Sequence, residues 1–162
     1  MVEVRREILI KSDIEKIWNF INDVSLSLGF SKFHRKIELK KSYKIGDSQE
    51  IIIIHNFGFG KVPMKLKIVN CEPYKCLIFR ESGDLNSKKV FNHESCFLII
   101  KNKEYYKLIY KVNGSFNNKL MDKTFTPLLK AVMIDELKKI KLAVESSDDN
   151  WMTLEAKQYN PV

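Results

Sequence analysis

Residues 11–25, KSDIEKIWNFINDVS, decide the fold because they predict two consecutive short helices near the start of the chain. Ser12 and Glu15 have the spacing of a capping box, in which two side chains satisfy free amide groups at a helix start. Asp23 is placed to cap a second helix over residues 24–28. Between the caps, apolar residues recur at helical spacing and form one stripe: Ile14, Ile17, Trp18 and Ile21.

The segments on both sides of these helices alternate between apolar and polar residues, as β-strands with one buried face do. Short turns separate most neighbouring segments, so we expect antiparallel hairpins. Pro73 ends the fourth segment, because proline cannot donate to the ladder. The strand-like segments are 2–10, 36–42, 50–54, 62–68, 76–82, 94–100 and 105–112.

A long amphipathic helix is predicted to begin near Phe116 and to continue to Val144, since apolar residues keep a 3.6-residue period over that range. Pro127 lies inside it and is expected to kink or divide it. The predicted fold is α+β: a seven-stranded antiparallel sheet with two short helices after strand 1, followed by a long C-terminal helix that covers one face of the sheet. We expect one domain over 1–145 and a tail over 146–162.

Composition narrows the class of protein. The chain has 162 residues and a net charge of +8, but only four of its 28 basic residues are arginine. Arginine is the preferred reader of guanine edges, so sequence-specific nucleic-acid binding is not expected. No apolar run approaches the roughly 20 residues of a membrane-spanning helix, and the charged start is unlike a signal peptide, so we expect a cytoplasmic location.

The three cysteines show no CxxC spacing, so neither a disulfide framework nor a zinc ribbon is indicated. Cys71 and Cys76 flank a four-residue turn and could face each other. Two buried thiols are the favoured interpretation in a reducing compartment.

The order of elements and the segment 11–25 resemble the START-like superfamily, also called Bet v 1-like or SRPBCC. That family carries a motif of the form a-P-x-e-x-V-W-x-x-l-x-D after its first strand. The residues at matching places are Ser12, Glu15, Ile17, Trp18, Ile21 and Asp23. Asp13 stands where the family usually has proline, which only starts the helix.

Other positions agree with the resemblance over residues 2–145, namely Gly46, the segment around Pro73, and Pro127. Within the superfamily, the pattern is most similar to polyketide cyclase/dehydrase-like and carbon-monoxide-dehydrogenase G-subunit-like members. The resemblance implies a helix-grip fold, in which the curved sheet holds the C-terminal helix over its concave face. It also implies a cavity for a hydrophobic ligand between the sheet and that helix. It does not imply one chemistry, because members include carriers, receptors and enzymes.

The segment EIIIIHNFGFGKVPMKL, residues 50–66, contains glycines that could suggest a phosphate-binding loop. Gly58 and Gly60 lie between two strand patterns and are followed by Pro63, so a hairpin turn is predicted instead. Phe57 and Phe59 in this turn are either ordinary exposed residues or a lid or membrane contact at the mouth of a cavity.

His55 shares a strand face with Ile51 and Ile53, but the continuous isoleucines hide which face is inward. A histidine that reaches solvent at the strand end is the favoured interpretation, and one that orients a ligand is the alternative. His34 and His93 lie at strand starts with nothing at metal-ligand spacing beside them, so no metal or cofactor is predicted.

Polar residues on the other strands indicate no catalytic residue. Glu50, Glu81 and Glu94 are expected to face water. Tyr110 is the better polar candidate, because it shares a face with Leu108 and other residues expected to point inward.

The predicted function is binding or transport of a small hydrophobic molecule, such as a lipid, quinone or polyketide. The alternatives are a cyclase/dehydrase-like enzyme that uses Tyr110 or His55, and a protein-interaction module with a filled core. The predicted ligand-binding residues are His55, Met64, Leu66, Phe97, Tyr110, Met121, Phe125, Leu129 and Met133.

Two surfaces are candidates for further partners. Lysines 138, 139 and 141 complement the dipole of the last helix, and they could also hold the domain against an anionic membrane surface. Both faces of residues 51–54 are apolar, so the outer face is expected to be covered. Either the tail with Trp151, Met152 and Leu154 or a second copy of the chain in a homodimer would cover it.

Overall fold

The computed structural model of the chain describes residues 1–39, 51–58, 60–84 and 90–146. They form one antiparallel sheet and three helices. The strands are β1 (Val2–Ile10), β2 (His34–Leu39), β3 (Ile51–Asn56), β4 (Lys61–Glu72), β5 (Cys76–Ser82), β6 (Asn92–Asn102) and β7 (Tyr105–Ser115). The helices are α1 (Ile14–Asn22), α2 (Val24–Gly29) and α3 (Lys119–Glu145).

The sheet has the strand order β1-β7-β6-β5-β4-β3-β2. Strands β2 to β7 therefore follow one another as antiparallel neighbours, and β1 pairs with β7. Because β1 and β2 lie at opposite edges, α1 and α2 must carry the chain from one edge of the sheet to the other.

Helix α3 packs its apolar stripe against one face of the sheet and closes the core. The buried residues of the helix include Phe125, Leu129, Val132, Met133, Leu137, Ile140 and Val144. Opposite them lie alternate residues of the strands, such as Phe79, Phe97 and Leu108. This arrangement confirms the predicted α+β helix-grip architecture. Among the described residues, no helix combines the length and apolarity needed to cross a membrane.

The helix starts depart from the sequence prediction at α1 and α3. The N-cap of α1 is Asp13, whose side chain makes no capping hydrogen bond, so the predicted capping box is wrong. The Ser12 hydroxyl instead donates to the carbonyl oxygen of Val144 at 3.3 Å. Helix α3 begins at Lys119, later than predicted, because Asn118 caps it.

Asp23 caps α2 as predicted. Its carboxylate accepts hydrogen bonds from the backbone amides of Ser25 and Leu26, at 2.9 and 3.2 Å. Pro127 lies inside α3.

The β3–β4 connection is the predicted hairpin turn, with Gly58 at φ +98° and Gly60 at φ +106°. Phe57 is buried rather than exposed, so the hypothesis that it forms a lid or a membrane contact is wrong. Its ring is held in the core by the rings of Phe33 and Phe125, with centroids 5.6 and 5.7 Å away. Phe59, like Gly46 and Glu50, lies outside the described residues.

The cysteines do not pair as a Cys71–Cys76 disulfide, and all three are free thiols. Cys76 lies instead near Cys96 on the neighbouring strand, with 4.0 Å between the two sulfur atoms. On the outer face of β3, Ile52 and Ile54 are partly exposed. Residues 147–162 of the tail lie outside the described residues, so the role of the tail and the homodimer stay predictions.

Candidate functional site

His55 on β3 points into the core. It lies on the same face of the strand as Ile51 and Ile53, and its side chain is 1% exposed. The favoured interpretation of a solvent-reaching histidine is therefore wrong. Helix α3 covers this face of the sheet, and the strand pattern alone could not show that.

Glu81 on β5 is buried next to His55. It continues the inward alternation of Leu77 and Phe79 and is 1% exposed, so the expectation that it faces water is wrong. Its Oε2 lies 2.5 Å from Nε2 of His55. Its Oε1 lies 3.3 Å from Nε2 of His93, whose side chain is 8% exposed. One carboxylate thus contacts two imidazoles.

His34 completes the group. It is the cross-strand partner of His55, and the two rings are perpendicular with centroids 4.5 Å apart. Its Nδ1 donates to the carbonyl oxygen of Leu28 at 2.7 Å. All three histidines of the chain therefore lie around one buried carboxylate. We call His34, His55, Glu81 and His93 the histidine–glutamate cluster.

The cluster corrects the expectation that nothing lies at metal-ligand spacing near these histidines. One potential ligand atom each from His34, His55 and Glu81 lie within 4.8 Å of one another. The residues are far apart in the chain, so their sequence spacing carries no sign of this arrangement.

Electrostatic effects within the cluster oppose the cost of burial. Burial alone would raise the pKa of Glu81, but the neighbouring histidines, first among them His93, hold that pKa well below its usual range. Burial disfavours a charged His93, yet the Glu81 carboxylate raises the pKa of His93 above its ordinary value. For His34, burial prevails over the attraction of Glu81 and lowers the pKa to about 4. Glu81 is therefore ionised and His34 is neutral near pH 7.

Glu136 on α3 adds a second buried carboxyl group. The residue is 5% exposed, and burial, reinforced by the charge of Asp135, raises its pKa to about 7. Tyr110 on β7 is also buried, and burial together with the charges of Glu136 and Glu81 raises its pKa well above the ordinary value. Two carboxyl groups whose pKa values are shifted in opposite directions are typical of sites that transfer protons.

A small cavity lies between these groups, with a volume of about 20 Å³. That is room for about one water molecule. The buried Nδ1 of His55 has no hydrogen-bond partner among the described residues. The cavity is lined by Ser31, Phe33, His34, His55, Phe57, Phe91, His93, Tyr110, Val112, Phe125, Leu129 and Glu136. Its lining therefore combines polar and aromatic side chains.

The structure places the sequence-predicted ligand residues in two groups. His55, Tyr110, Phe125 and Leu129 line the cavity. Met64, Leu66, Phe97 and Met133 are buried in the surrounding core, and Met121 is partly buried against it.

Sequence reasoning missed the acidic members of the site. Glu81 shares strand parity with the apolar Leu77 and Phe79, and this pattern could have indicated that Glu81 faces inward. The position of Glu136, within the apolar stripe between Met133 and Ile140, was a usable signal for that residue.

Comparisons with known proteins identify the fold. No family model and no curated protein match this sequence. A START superfamily protein from Mycobacterium smegmatis matches 88% of this chain and 97% of its own, at 12% identity and a TM-score of 0.69. A conserved protein from Geobacillus kaustophilus matches 88% and 95%, at 17% identity and a TM-score of 0.69.

A third similar structure is the di-domain ARO/CYC StfQ from the steffimycin biosynthetic pathway. It matches 89% of this chain and 50% of its own, at 10% identity and a TM-score of 0.67. These similarities confirm that the chain has the START-like helix-grip fold, which the segment 11–25 and the order of elements indicated.

Proposed function

We propose that this START-like domain binds a small, largely apolar molecule that carries a hydroxyl group, in the cavity between the sheet and α3. The observation that carries the proposal is the state of His55. One of its ring nitrogens is held by Glu81, and the other is buried without a partner among the described residues. A polar group of this kind in an apolar pocket orients a ligand.

Hydrogen-bonding roles select the ligand's polar group. An ionised carboxylate accepts hydrogen bonds and cannot donate them, so Nε2 of His55 donates to Glu81. In a neutral imidazole the remaining nitrogen, Nδ1, then carries a lone pair. Leaving a buried acceptor unpaired costs about 1 to 3 kcal/mol, which a donor on the ligand would recover. A hydroxyl group on the ligand supplies that donor.

The aromatic side chains that line the cavity indicate which apolar group the ligand should carry. Phe33, Phe57, Phe91 and Phe125 surround the cavity, and aromatic rings favour edge-to-face and offset contacts with other rings. The cavity of about 20 Å³ is too small for any ring unless these side chains rotate aside. A ligand of one or two rings needs the least rearrangement, whereas a long acyl chain would have to displace much of the core.

A matched pair of probes tests this proposal. 1-Naphthol and 1-methylnaphthalene have nearly the same shape, and only the first donates a hydrogen bond. We expect the wild-type protein to bind 1-naphthol at least about tenfold more tightly, the equivalent of about 1.4 kcal/mol. Affinity is measured by the chemical shifts of backbone amides during titration.

Two variants locate the binding site. His55→Gln is expected to abolish the preference for the hydroxyl compound. Met64→Leu is expected to keep the preference, because Met64 lies in the core and does not line the cavity. No binding of either probe, or equal binding of both by the wild-type protein, would overturn the proposal.

A second candidate function is proton transfer, in the manner of a cyclase or dehydrase. It is favoured by the same His55–Glu81 pair, because a general base next to a carboxylate that orients it is the usual arrangement for this chemistry. In such a reaction Nδ1 of His55 removes a proton from the carbon beside a carbonyl group. Tyr110, on the cavity wall, donates to the carbonyl oxygen.

Hydrogen exchange tests the second candidate without knowledge of the natural substrate. In D₂O, the wild-type protein is expected to speed the replacement of the acidic C–H protons of 2-tetralone by deuterium, as followed by proton NMR. His55→Gln is expected to remove the acceleration. An exchange rate that is the same with the wild-type protein and with the variant would exclude this function.

A further inference from the structure

We propose that His34, His55 and Glu81 bind a divalent transition-metal ion, for which Zn²⁺ is a suitable probe. This inference goes beyond the proposed function, because it does not require that the cavity also bind an organic molecule.

The donor set is the first argument. Two imidazoles and one carboxylate form a combination that binds Zn²⁺, and also Fe²⁺ with open positions for further ligands. Each of the three residues lies on a different strand of one sheet, β2, β3 and β5. A rigid sheet therefore holds all three donors in place.

The distances are the second argument. The three potential ligand atoms lie within 4.8 Å of one another. Ligand atoms bonded at about 2.1 Å to one ion are about 3.0 to 3.4 Å apart for angles between 90° and tetrahedral. Side-chain rotations that move these atoms by about 1 to 2 Å therefore complete the site. The ion takes the place of the proton that Nε2 of His55 donates to Glu81.

The surroundings of the three residues are the third argument, because partners of metal ligands orient them and tune their basicity. His34 donates from Nδ1 to the Leu28 carbonyl oxygen, which leaves Nε2 as its free donor atom. Oε1 of Glu81 contacts His93, which is itself held by a 2.8 Å hydrogen bond between its Nδ1 and the carbonyl oxygen of Phe91. His93 is thus a positioning residue for the site.

Three protein ligands leave coordination positions open, as in catalytic rather than structural zinc sites. Those positions would face the cavity, whose remaining walls are largely aromatic.

Thiols are the main competing donors for Zn²⁺ in this chain. Cys76 and Cys96 have sulfur atoms 4.0 Å apart and could bind the same ion. The experiment therefore uses the variant C71A/C76A/C96A as its background, treated with a chelator and then dialysed. Circular dichroism checks that each protein is folded.

Isothermal titration with ZnCl₂ measures the binding. We expect one Zn²⁺ per chain in the cysteine-free background, and at least tenfold weaker binding after His34→Gln or Glu81→Gln. Glu94→Gln is the matched control for Glu81→Gln, since Glu94 pairs with Arg80 on the exposed face of the sheet and does not belong to the donor set, and it should leave the affinity unchanged. Absence of binding in the background, or equal affinity in the His34→Gln and Glu81→Gln variants, overturns the proposal.

A second measurement needs no substitution and covers the case in which a variant fails to fold. The chain has only three histidines, so their ring nitrogens give few signals in ¹⁵N NMR spectra. On addition of Zn²⁺, we expect a ligating nitrogen of His34 and one of His55 to shift strongly, and those of His93 to shift less. Ring signals that stay in place at saturating Zn²⁺ would overturn the proposal. Neither measurement involves an organic ligand, so failure here is separate from failure of the proposed function.

Discussion

His55 and Glu81 stand 26 positions apart in the chain, yet their side chains meet at 2.5 Å in the centre of the protein, each 1% exposed. A charge in such a place is tolerated only when it is paired and hydrogen-bonded. The pair therefore ties β3 to β5 across β4, and its His55 lines the cavity. Removing one partner leaves the other buried and unsatisfied.

Glu81→Ala should lower the free energy of unfolding by about 3 to 5 kcal/mol, because it breaks a buried pair and leaves two imidazoles without their acceptor. Urea denaturation measures the change. Glu94→Ala is a matched control on the neighbouring strand. Glu94 pairs with Arg80 at 2.9 Å on the exposed face, next to the Glu81–His93 pair in the same ladder.

An exposed ion pair contributes about 0 to 1 kcal/mol, so the Glu94 variant should lose little stability. Similar losses of stability in the Glu81→Ala and Glu94→Ala variants would contradict the burial of the His55–Glu81 pair.

Glu136→Gln should remove a pH dependence of stability. The pKa of Glu136 is raised from 4.5 to about 7 in the folded protein. The folded state thus keeps a proton that the unfolded chain has lost, and the free energy of unfolding falls as the pH rises from about 4.5 to about 7. One pKa unit corresponds to about 1.4 kcal/mol. The free energy of unfolding of the variant, relative to that of the wild-type protein, should therefore increase by about 3 kcal/mol between pH 4.5 and pH 8.

Glu145→Gln is the control for that experiment. Glu145 lies at the end of the same helix, and although burial alone would raise its pKa, the hydrogen bond from the Lys11 amide helps to lower it. The variant should therefore gain nothing relative to the wild-type protein as the pH rises. Urea denaturation at both pH values measures the free energy of unfolding of each variant and of the wild-type protein. If the difference between Glu136→Gln and the wild-type protein does not change with pH, the pKa of Glu136 is not raised.

Gly114→Ala should disturb the histidine–glutamate cluster through the backbone. A Cβ atom at Gly114 would lie 2.5 Å from Cβ of His93 and 2.6 Å from the carbonyl oxygen of Asn92. We expect a loss of about 3 kcal/mol, as for other overpacked sites, together with shifted ring signals of His93 in NMR spectra.

Gly58→Ala separates this contact from backbone strain. Gly58 has φ +98°, but a Cβ there would meet nothing within 4 Å. It should cost about 1 to 2 kcal/mol and leave the His93 signals unchanged. Unchanged His93 signals in Gly114→Ala would show that the close approach is absent in solution.

Asp23→Ala should cost about 1 kcal/mol, because it removes the side-chain hydrogen bonds that cap α2. Asp13→Ala is the matched variant at the start of α1, where the same residue type makes no capping hydrogen bond. It should cost only about 0.3 kcal/mol, the lower end of the range for an exposed negative charge at a helix N-terminus. Thermal unfolding measures the stability of both variants. A larger loss of stability for Asp13→Ala than for Asp23→Ala would contradict this assignment of the caps.

The architecture was predictable because its signals are local. Alternation along each strand, the cap at Asp23 and the 3.6-residue period of the last helix depend on residues a few positions apart. The failures at that level were also local. Ser12 has the right type for a capping box, but its hydroxyl reaches the end of α3 instead.

The candidate site was predictable only in part. Strand parity and residue type indicated the inward position of Tyr110. For His55, the neighbouring isoleucines left the inward face undecided, and a position in solvent was favoured. Glu81 was assigned to solvent on the general tendency of glutamate to be exposed, although its parity with Phe79 indicated the inward face. His34 and His93 gave no usable signal, since their roles depend on which strands become neighbours.

The amino-acid sequence by itself determined the order of the elements and the inward face of Tyr110, because short-range periodicity carries that information. The resemblance of residues 11–25 and of that order to a known superfamily indicated the helix-grip fold. Only the tertiary structure decided that the three histidines gather around Glu81 and that the cavity is small. Side chains from four separate strands meet there, and their distances depend on strand pairing and on the packing of α3, which no local pattern records.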